Sequence, residues 1–540
     1  MRWTGKALWI GLFGICVVAA SGVVGYGVYR RASAQVEEHV AQVEQRRTVR
    51  EAPVVDVAPA PLPRGRPLIE RPGADPFGYP RSYVDGVALR SLLEHRKYAE
   101  LTRAIEELQD EFEGDPKKEL WPIAAAAAFS TSIPRLAPLF DDWVKATPDS
   151  FAPYLARGTY RSAVAWAQRG TKTITETHVL DLRAMHDTAR AALPDLDRAL
   201  ALRPKLLAAL RGKLSPLQLT GAHRELEEVL AAANALCPSC MYVRTRYLAA
   251  TTPRWGGSYD RMRASIANVP VAQNGALRLL SGYIDADRAR VALLNKDLDA
   301  ALAAIERACA LGPHSYFLAA RADILSAKGD LDQALRDYTA ALDLRPDIAA
   351  LRIDRAGVLA DQGKWLDAAA DLLAGLRIDT SSQRGRRLLP RIFKALEELA
   401  DAAAARGERD EALRIYDLAQ ALYPFARSVN HKRSIVVRAG LTGAPDELPR
   451  LEQAVREAPD DFDAHLRLDY ALAQRQDFER VVALWTEFLT RNPDVSAAYY
   501  ERGGAQQRLG RRERATADFI SACERGHHAA CAIAGRYGGR

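Results

Sequence analysis

Cysteine is scarce, with six in 540 residues. That excludes a disulfide-dense scaffold but leaves one or two specific bridges open. Aromatic residues make up only 7%, and β-branched alternation is rare, which excludes a sandwich or barrel. No sign of charge prevails: 75 basic and 68 acidic residues leave +7, spread along the chain. Such a balance argues against nucleic-acid binding. No G-x-S-x-G, H-E-x-x-H, D-x-D-x-D-G or dinucleotide-binding glycine pattern occurs, so no catalytic residue, metal or cofactor is nominated. What is abundant is alanine, in runs such as 124–128 and 402–405. Alanine is the best helix former. With 48% hydrophobic and 26% charged residues, the composition is that of a folded protein. The reading is all-α: many helices packed closely through small residues.

One long apolar run stands out. Residues 7–29 carry no charge and are long enough to span a bilayer as a helix. Trp3, Trp9, Tyr26 and Tyr29 sit near its ends, where amphipathic rings favour the interface. The run exceeds the apolar core of a cleaved signal peptide. The expectation is therefore a single-pass anchor over 1–30. Eight prolines between Pro53 and Pro80 make 31–80 a linker, either an extended spacer or a disordered tether. Flanking basic residues slightly favour a cytoplasmic body. The cysteines considered below favour the opposite: a body on the periplasmic side of a bacterial inner membrane.

The rest of the chain repeats. Gly329, Ala334, Tyr338, Ala341 and Pro346 mark one unit. A shift of 34 residues gives Gly363, Ala368, Leu372, Gly375 and Thr380. The frame returns at Gly407, Ala412, Tyr416 and Ala419, and at Gly510, Ala515, Phe519 and Ala522. Over roughly 280–530 the chain resembles a tetratricopeptide repeat protein. The resemblance implies an α-solenoid of antiparallel helix pairs, each burying its apolar face on the next. About ten residues are inserted around 380–390, and the unit before Pro459 is degenerate. Residues 81–275 form a more divergent helical-repeat domain, with long helices over 158–195. This part resembles an uncharacterised bacterial domain found ahead of tetratricopeptide repeats. Residues 276–540 form the array proper, closed by a capping unit.

Three motifs invite a chemical reading. Trp255-Gly256-Gly257-Ser258 is either a ligand-binding loop or an interhelical turn in which glycines take unusual dihedrals and Ser258 caps the next helix. Cys237-Pro238-Ser239-Cys240 lacks the further ligands a zinc site needs. It stands as a local disulfide or as two thiols in a turn. The segment from Ala522 to Cys531 resembles the junction of Sel1-like repeats, and that resemblance implies a disulfide between Cys523 and Cys531. Free thiols, or a metal held with His527 and His528, are the alternatives.

The repeat resemblance also implies an inner groove lined by the first helix of each pair. In this sequence the frame places Tyr316, Asp323, Ile353, Lys394, Glu397, Asp401, Tyr470, Gln474, Tyr500, Gln507 and Arg508 there. Tyrosines with mixed charges suit adaptable recognition of protein or peptide partners. The Lys and Asn clamp that chaperone-tail receptors of this family use is absent. The functional expectation is a membrane-tethered, non-catalytic scaffold of the cell envelope. Its rivals are an envelope enzyme with a site near Trp255 and a cytoplasm-facing adaptor.

Overall fold

The computed structural model describes residues 60–540 except 61, 64, 171–175, 424–425, 440–446, 526, 528–529, 531–532 and 534–540. A short antiparallel hairpin opens the described chain. Its strands are β1 (Leu68–Ile69) and β2 (Tyr83–Val84), with Leu68 opposite Val84 and Ile69 opposite Tyr83. Helices follow: α1 (Gly86–Glu94), α2 (Tyr98–Gly114), α3 (Leu120–Ala127) and α4 (Ala137–Ala146). Ten helix pairs come next. They are α5 (Ala152–Arg169) with α6 (Val179–Leu202), α7 (Leu207–Thr220) with α8 (His223–Leu236), and α9 (Tyr242–Ala250) with α10 (Tyr259–Ile266). The array continues with α11 (Gly282–Leu294) and α12 (Leu298–Cys309), α13 (Ser315–Lys328) and α14 (Leu331–Leu344), and α15 (Ala349–Asp361) and α16 (Trp365–Ile378). It ends with α17 (Gln383–Ala405) and α18 (Arg409–Leu422), α19 (Arg427–Ala439) and α20 (Glu447–Glu457), α21 (Phe462–Gln474) and α22 (Phe478–Arg491), and α23 (Ser496–Arg508) and α24 (Arg512–Glu524).

The turn inside a pair needs one residue in the left-handed region. Gly329, Gly363, Gly407 and Gly510 take it with φ of 89°, 73°, 81° and 73°. Without a Cβ they do so at no steric cost. Arg96, Lys296 and Gln476 hold the same kind of turn with φ of 56°, 62° and 58°, where a side chain pays about 1 kcal/mol or more. Small residues set the helix approach: Ala322, Ala334, Ala356 and Ala368 are completely buried. Tyr338, Tyr416, Trp485 and Phe519 fill the space between pairs. The core is thus a row of local clusters rather than one centre, as expected of a quasi-one-dimensional array. The insertion near 380–390 is absorbed into α17, a helix of 23 residues that continues through Pro390. Helices α5 and α6 are likewise long, with 18 and 24 residues.

Two expectations change. The proline-rich stretch is not a free spacer up to Pro80, because its last part packs on the helices. Tyr79 is buried, and its hydroxyl donates to Glu119 Oε1 at 2.8 Å. Asn274 Nδ2 donates to the Tyr79 hydroxyl, also at 2.8 Å. Tyr83 donates to the carbonyl of Leu344 at 3.3 Å, tying the strap to a helix 261 residues away. The second correction concerns the inner-membrane, single-pass placement with a periplasmic body. Among the described residues, no helix is long and apolar enough to cross a membrane. Even the longest, α6, carries Asp181, Arg183, Asp187, Arg190, Asp195, Asp197 and Arg198, charges that hydrocarbon does not tolerate at that density. The anchor expected over 1–30 lies outside the described residues.

Candidate functional site

The array curves enough for distant pairs to meet. Arg90, on α1, donates to the carbonyl of Arg377, on α16, at 2.7 Å. Arg345, just past α14, lies over the Tyr242 ring of α9 at 5.9 Å. Aromatic side chains of first helices also meet rings from neighbouring units. Tyr283 of α11 stacks on Tyr316 of α13, with centroids 5.3 Å apart and planes 15° from parallel. Trp166 of α5 meets Trp255 edge-on at 5.3 Å and donates to Ser215 of α7 at 2.7 Å.

Arg211 of α7 and Arg246 of α9 lie on the first helices of two adjacent pairs. Neither has a carboxylate partner among the described residues. Arg246 Nη2 donates to the neutral Gln218 Oε1 at 2.6 Å, and Arg211 Nε is buried with no partner. Loss of water, then repulsion from Arg345, pushes the Arg211 guanidinium down to about 10. Loss of water, then repulsion from Arg211, pushes Arg246 down to about 9. Arg345 is different. Burial opposes its charge, but Asp347 accepts from it twice, at 2.7 Å each, and holds it above the ordinary range. Burial, reinforced by Arg345, pushes His314 down to about 3, so its imidazole is neutral at physiological pH. Burial also raises the phenols of Tyr242 and Tyr283. They stay protonated.

A buried anchor holds the start of α9. Glu119 is fully buried and accepts from the backbone N–H of Met241 and Tyr242 at 2.7 and 2.9 Å and from Tyr79 at 2.8 Å. Burial raises its pKa despite those donors. The adjacent Cys237 and Cys240 form a disulfide with Cα atoms 5.4 Å apart. Arg244 bonds the carbonyls of Cys240 and Pro238 in the same turn. This cluster fixes the start of α9, and with it Tyr242.

The residues expected to line the groove divide into several groups. Tyr316 is exposed and stacked, as above. Asp323 and Asp401 are held by their own units: Tyr338 donates to Asp323 at 2.5 Å and Tyr416 to Asp401 at 2.6 Å. Lys432 bridges Asp401 and Glu397 at 2.6 and 2.8 Å. Lys394 is exposed, 3.6 Å from Glu398. Gln474, Gln507 and Arg508 are exposed, and Tyr470 is half-buried. Tyr500 stacks on His527 at 4.3 Å. Ile353 is not a groove residue. It is buried because Gly375 and Gly385, which lack side chains, let neighbouring backbone close over it.

Trp255-Gly256-Gly257-Ser258 is the turn between α9 and α10. Gly256 has φ of 80°. A Cβ on Gly257 would fall 1.8 Å from the carbonyl oxygen of Thr251. Ser258 caps α10 by accepting from Arg261 N at 3.1 Å. Trp255 is half-buried against Trp166 rather than lodged in the core. Cys523 is disulfide-bonded, while Cys531 lies outside the described residues.

Sequence reading missed Arg211, Arg246 and Arg345, because no repeat position singles them out. It also missed a recurrent staple between the two helices of a pair. Arg321 reaches Asp337, Arg355 reaches Asp371 and Arg502 reaches Asp518, each through two hydrogen bonds of 2.6–3.0 Å. Each pair is 16 residues apart, a spacing legible in the repeat frame.

Residues 319–383 match the family described as tetratricopeptide repeat, so the central pairs α13–α16 carry that repeat. Among curated proteins none matches the chain. Solved structures that it resembles include the P58(IPK) TPR domain, at 16% identity over 81% of this chain and 99% of that one, TM-score 0.21. Yeast Tom70 shows 14% identity over 84% and 95%, TM-score 0.22. A tetratricopeptide repeat protein from Parabacteroides merdae shows 17% over 61% and 98%, TM-score 0.20. At such overlap these likenesses say nothing of what this chain binds.

Proposed function

We propose that the chain is a non-catalytic scaffold that binds an extended segment of a protein partner along the inner face of its first helices. The observation that carries this reading is the group of aromatic rings contributed by first helices and the turn after α9: Trp166 against Trp255, Tyr242 beneath Arg345, and Tyr283 stacked on the exposed Tyr316. Aromatic rings with polar edges give large contact area at low entropic cost. The tetratricopeptide repeat match at 319–383 supports it, since stacked helix pairs create extended concave binding surfaces. A disulfide between Cys523 and Cys531 belongs to the same reading, as a staple for the last pair.

An enzymatic site near Trp255 finds less support. The loop is occupied with its own geometry, through the Gly256 and Gly257 backbone and the Ser258 cap.

A photo-crosslinking side chain at Tyr316, compared with one at the exposed Arg336 on a second helix, tests the proposal. Crosslinks to a bound polypeptide are expected from position 316 and not from 336. Equal labelling from both positions, or labelling from 336 alone, overturns it.

A further inference from the structure

Residues 67–85 form a hairpin whose backbone bonds mainly to itself. Strand β1 pairs with β2, Arg81 N donates to the carbonyl of Gly73 at 3.2 Å, and Asp75 N donates to that of Tyr79 at 2.8 Å. The tip is the turn Asp75-Pro76-Phe77-Gly78-Tyr79. The Asp75 carboxylate accepts from the N–H of Phe77 and of Tyr79 at 2.8 and 2.9 Å, and Gly78 takes φ of 80°. Among the described residues, the backbone of 75–80 makes one hydrogen bond to the rest of the molecule, from Lys117 Nζ to the carbonyl of Phe77 at 2.8 Å. Two side chains do the remaining docking. The Tyr79 phenol sits between Glu119 and Asn274, and its ring meets Tyr242 edge-on at 5.9 Å. The Phe77 ring lies 5.2 Å from the Arg278 guanidinium and against Gly312, where a Cβ would come within 3.1 Å of it.

The wall that receives the tip is complete without it. Glu119 keeps the N–H donors of Met241 and Tyr242. Asn274 donates to the carbonyl of Ser239 at 2.8 Å and accepts from Ala276 N and Lys117 Nζ at 3.1 and 2.9 Å. Arg278 donates to the carbonyl of Leu311 at 2.9 Å. Withdrawing the tip therefore strands none of these groups. Packing around the tip is also incomplete. A cavity of about 50 Å³ has Tyr79 and Tyr83 of the hairpin on its wall together with Tyr242, His314 and Arg345. An open groove of about 500 Å³ is lined by Ala74, Pro76 and Arg81 of the hairpin with Leu318 of α13 and Ala340 of α14.

We infer that this cleft is a recognition site for a turn of a protein partner that carries an aromatic ring and, two residues on, a tyrosine, and that the chain fills it with its own residues 75–79 until the partner displaces them. This rests on the reading of the neighbouring aromatic group as a polypeptide-binding surface, since Tyr242 belongs to both. The wall sets the chemistry. Glu119 and Asn274 read the phenol, while Arg278 and Lys117, the latter 4.7 Å from the Tyr79 ring, offer cations to the two rings. A turn closed by its own bonds is preorganised, so little ordering is lost when it docks. A tip held by side chains rather than by a β ladder exchanges for another of the same shape. A second copy of the chain is a poor occupant. The base of its hairpin is buried at Val84 and runs into α1 at Gly86, which keeps the tip on its own body.

The test uses the full chain and a labelled cyclic peptide carrying residues 73–81, read by fluorescence anisotropy, with the same peptide lacking both rings (alanine in their place) as control. Phe77→Ala with Tyr79→Ala in the chain vacates the cleft. This double variant is expected to bind the peptide at least about tenfold more tightly than the parent does, because the parent's cleft is already filled. It should prefer the peptide over the control by about tenfold as well. Replacing the peptide's tyrosine with phenylalanine should cost about tenfold, since two bonds to the hydroxyl are lost. Phe77→Ala alone weakens the hold of the tip and should raise the affinity of the chain for the peptide by about threefold.

If parent and double variant bind the peptide alike, or the folded double variant does not bind it, the self-filled site is overturned, while crosslinking from position 316 decides the groove reading separately. If circular dichroism shows that neither variant folds, the tip belongs to the core and the inference is overturned too. A phenylalanine peptide that binds equally well overturns the requirement for tyrosine. If the double variant forms mixed dimers with the parent in sedimentation, the occupant is a second copy's hairpin and the assignment to a different protein is overturned.

Discussion

Removing one partner of the Arg321–Asp337 staple is expected to loosen the pair α13–α14 by about 2–3 kcal/mol. The structure sets this magnitude. Asp337 is 4% exposed, and Arg321 reaches it from α13 with two bonds of 2.7 Å. Those bonds, first, and the nearby charge hold the guanidinium above its ordinary range. Asp337→Ala strands the guanidinium. Fully buried pairs broken this way lose about 3–5 kcal/mol, but the Arg321 side chain is 26% exposed and regains some water, so the lower figure applies. The double variant Arg321→Met, Asp337→Leu leaves no orphan charge and should lie within about 1 kcal/mol of the parent. Because units of a solenoid couple mainly to neighbours, the readout is amide exchange in α13 and α14. Protection should fall about 30- to 150-fold there in the single variant and little in α23 or α24. Equal loss in single and double variants would falsify the argument that an orphan charge sets the cost.

Further expectations follow the same logic. Burial, set against Arg384 at 2.8 Å and reinforced by repulsion from Asp323, pushes Asp354 from 3.8 up to about 7. The folded state therefore holds this proton more tightly, and its contribution to stability is full below about pH 4 and lost as pH rises through about 7. Asp354→Asn should match the parent in urea midpoint near pH 3.5 and exceed it by a margin that grows up to about pH 8; a difference independent of pH would contradict this. Gly257→Ala should cost about 2–3 kcal/mol in thermal unfolding because its Cβ meets rigid backbone. Gly357→Ala, inside α15 with no atom within 4 Å of the new Cβ, should instead gain about 0.5–1 kcal/mol. Lys296→Gly and Gln476→Gly, both at positive φ, should be neutral or stabilising by up to about 1 kcal/mol, whereas Gly329→Ala should destabilise by a similar amount.

The helix pairs were legible in the sequence because their causes are local and periodic. Gly329, Gly363, Gly407 and Gly510 stand where a turn needs the left-handed region. Ala322, Ala334, Ala356 and Ala368 stand where two helices touch. Each of these requirements is satisfied within a few tens of residues, so spacing alone reveals it. The turn at Gly256-Gly257-Ser258 was readable for the same reason.

Tertiary structure decided everything that depends on curvature. A superhelix adds a small rotation at every unit, and only the sum brings Tyr242 to Arg345, Arg90 to Arg377 and the Tyr83 hydroxyl to Leu344. No periodic pattern encodes such meetings across 103, 287 and 261 residues. The same sum folded the proline-rich strap onto the helices through Tyr79 and left Arg211 and Arg246 without a carboxylate partner among the described residues. Ile353 shows the limit at a single position. Its repeat position pointed to the groove, but neighbours Gly375 and Gly385, one in its own pair and one in the next, let the chain close over it. Sequence set the unit and its spacing. Stacking decided which faces remained open to a partner, because burial at each position depends on the units on either side.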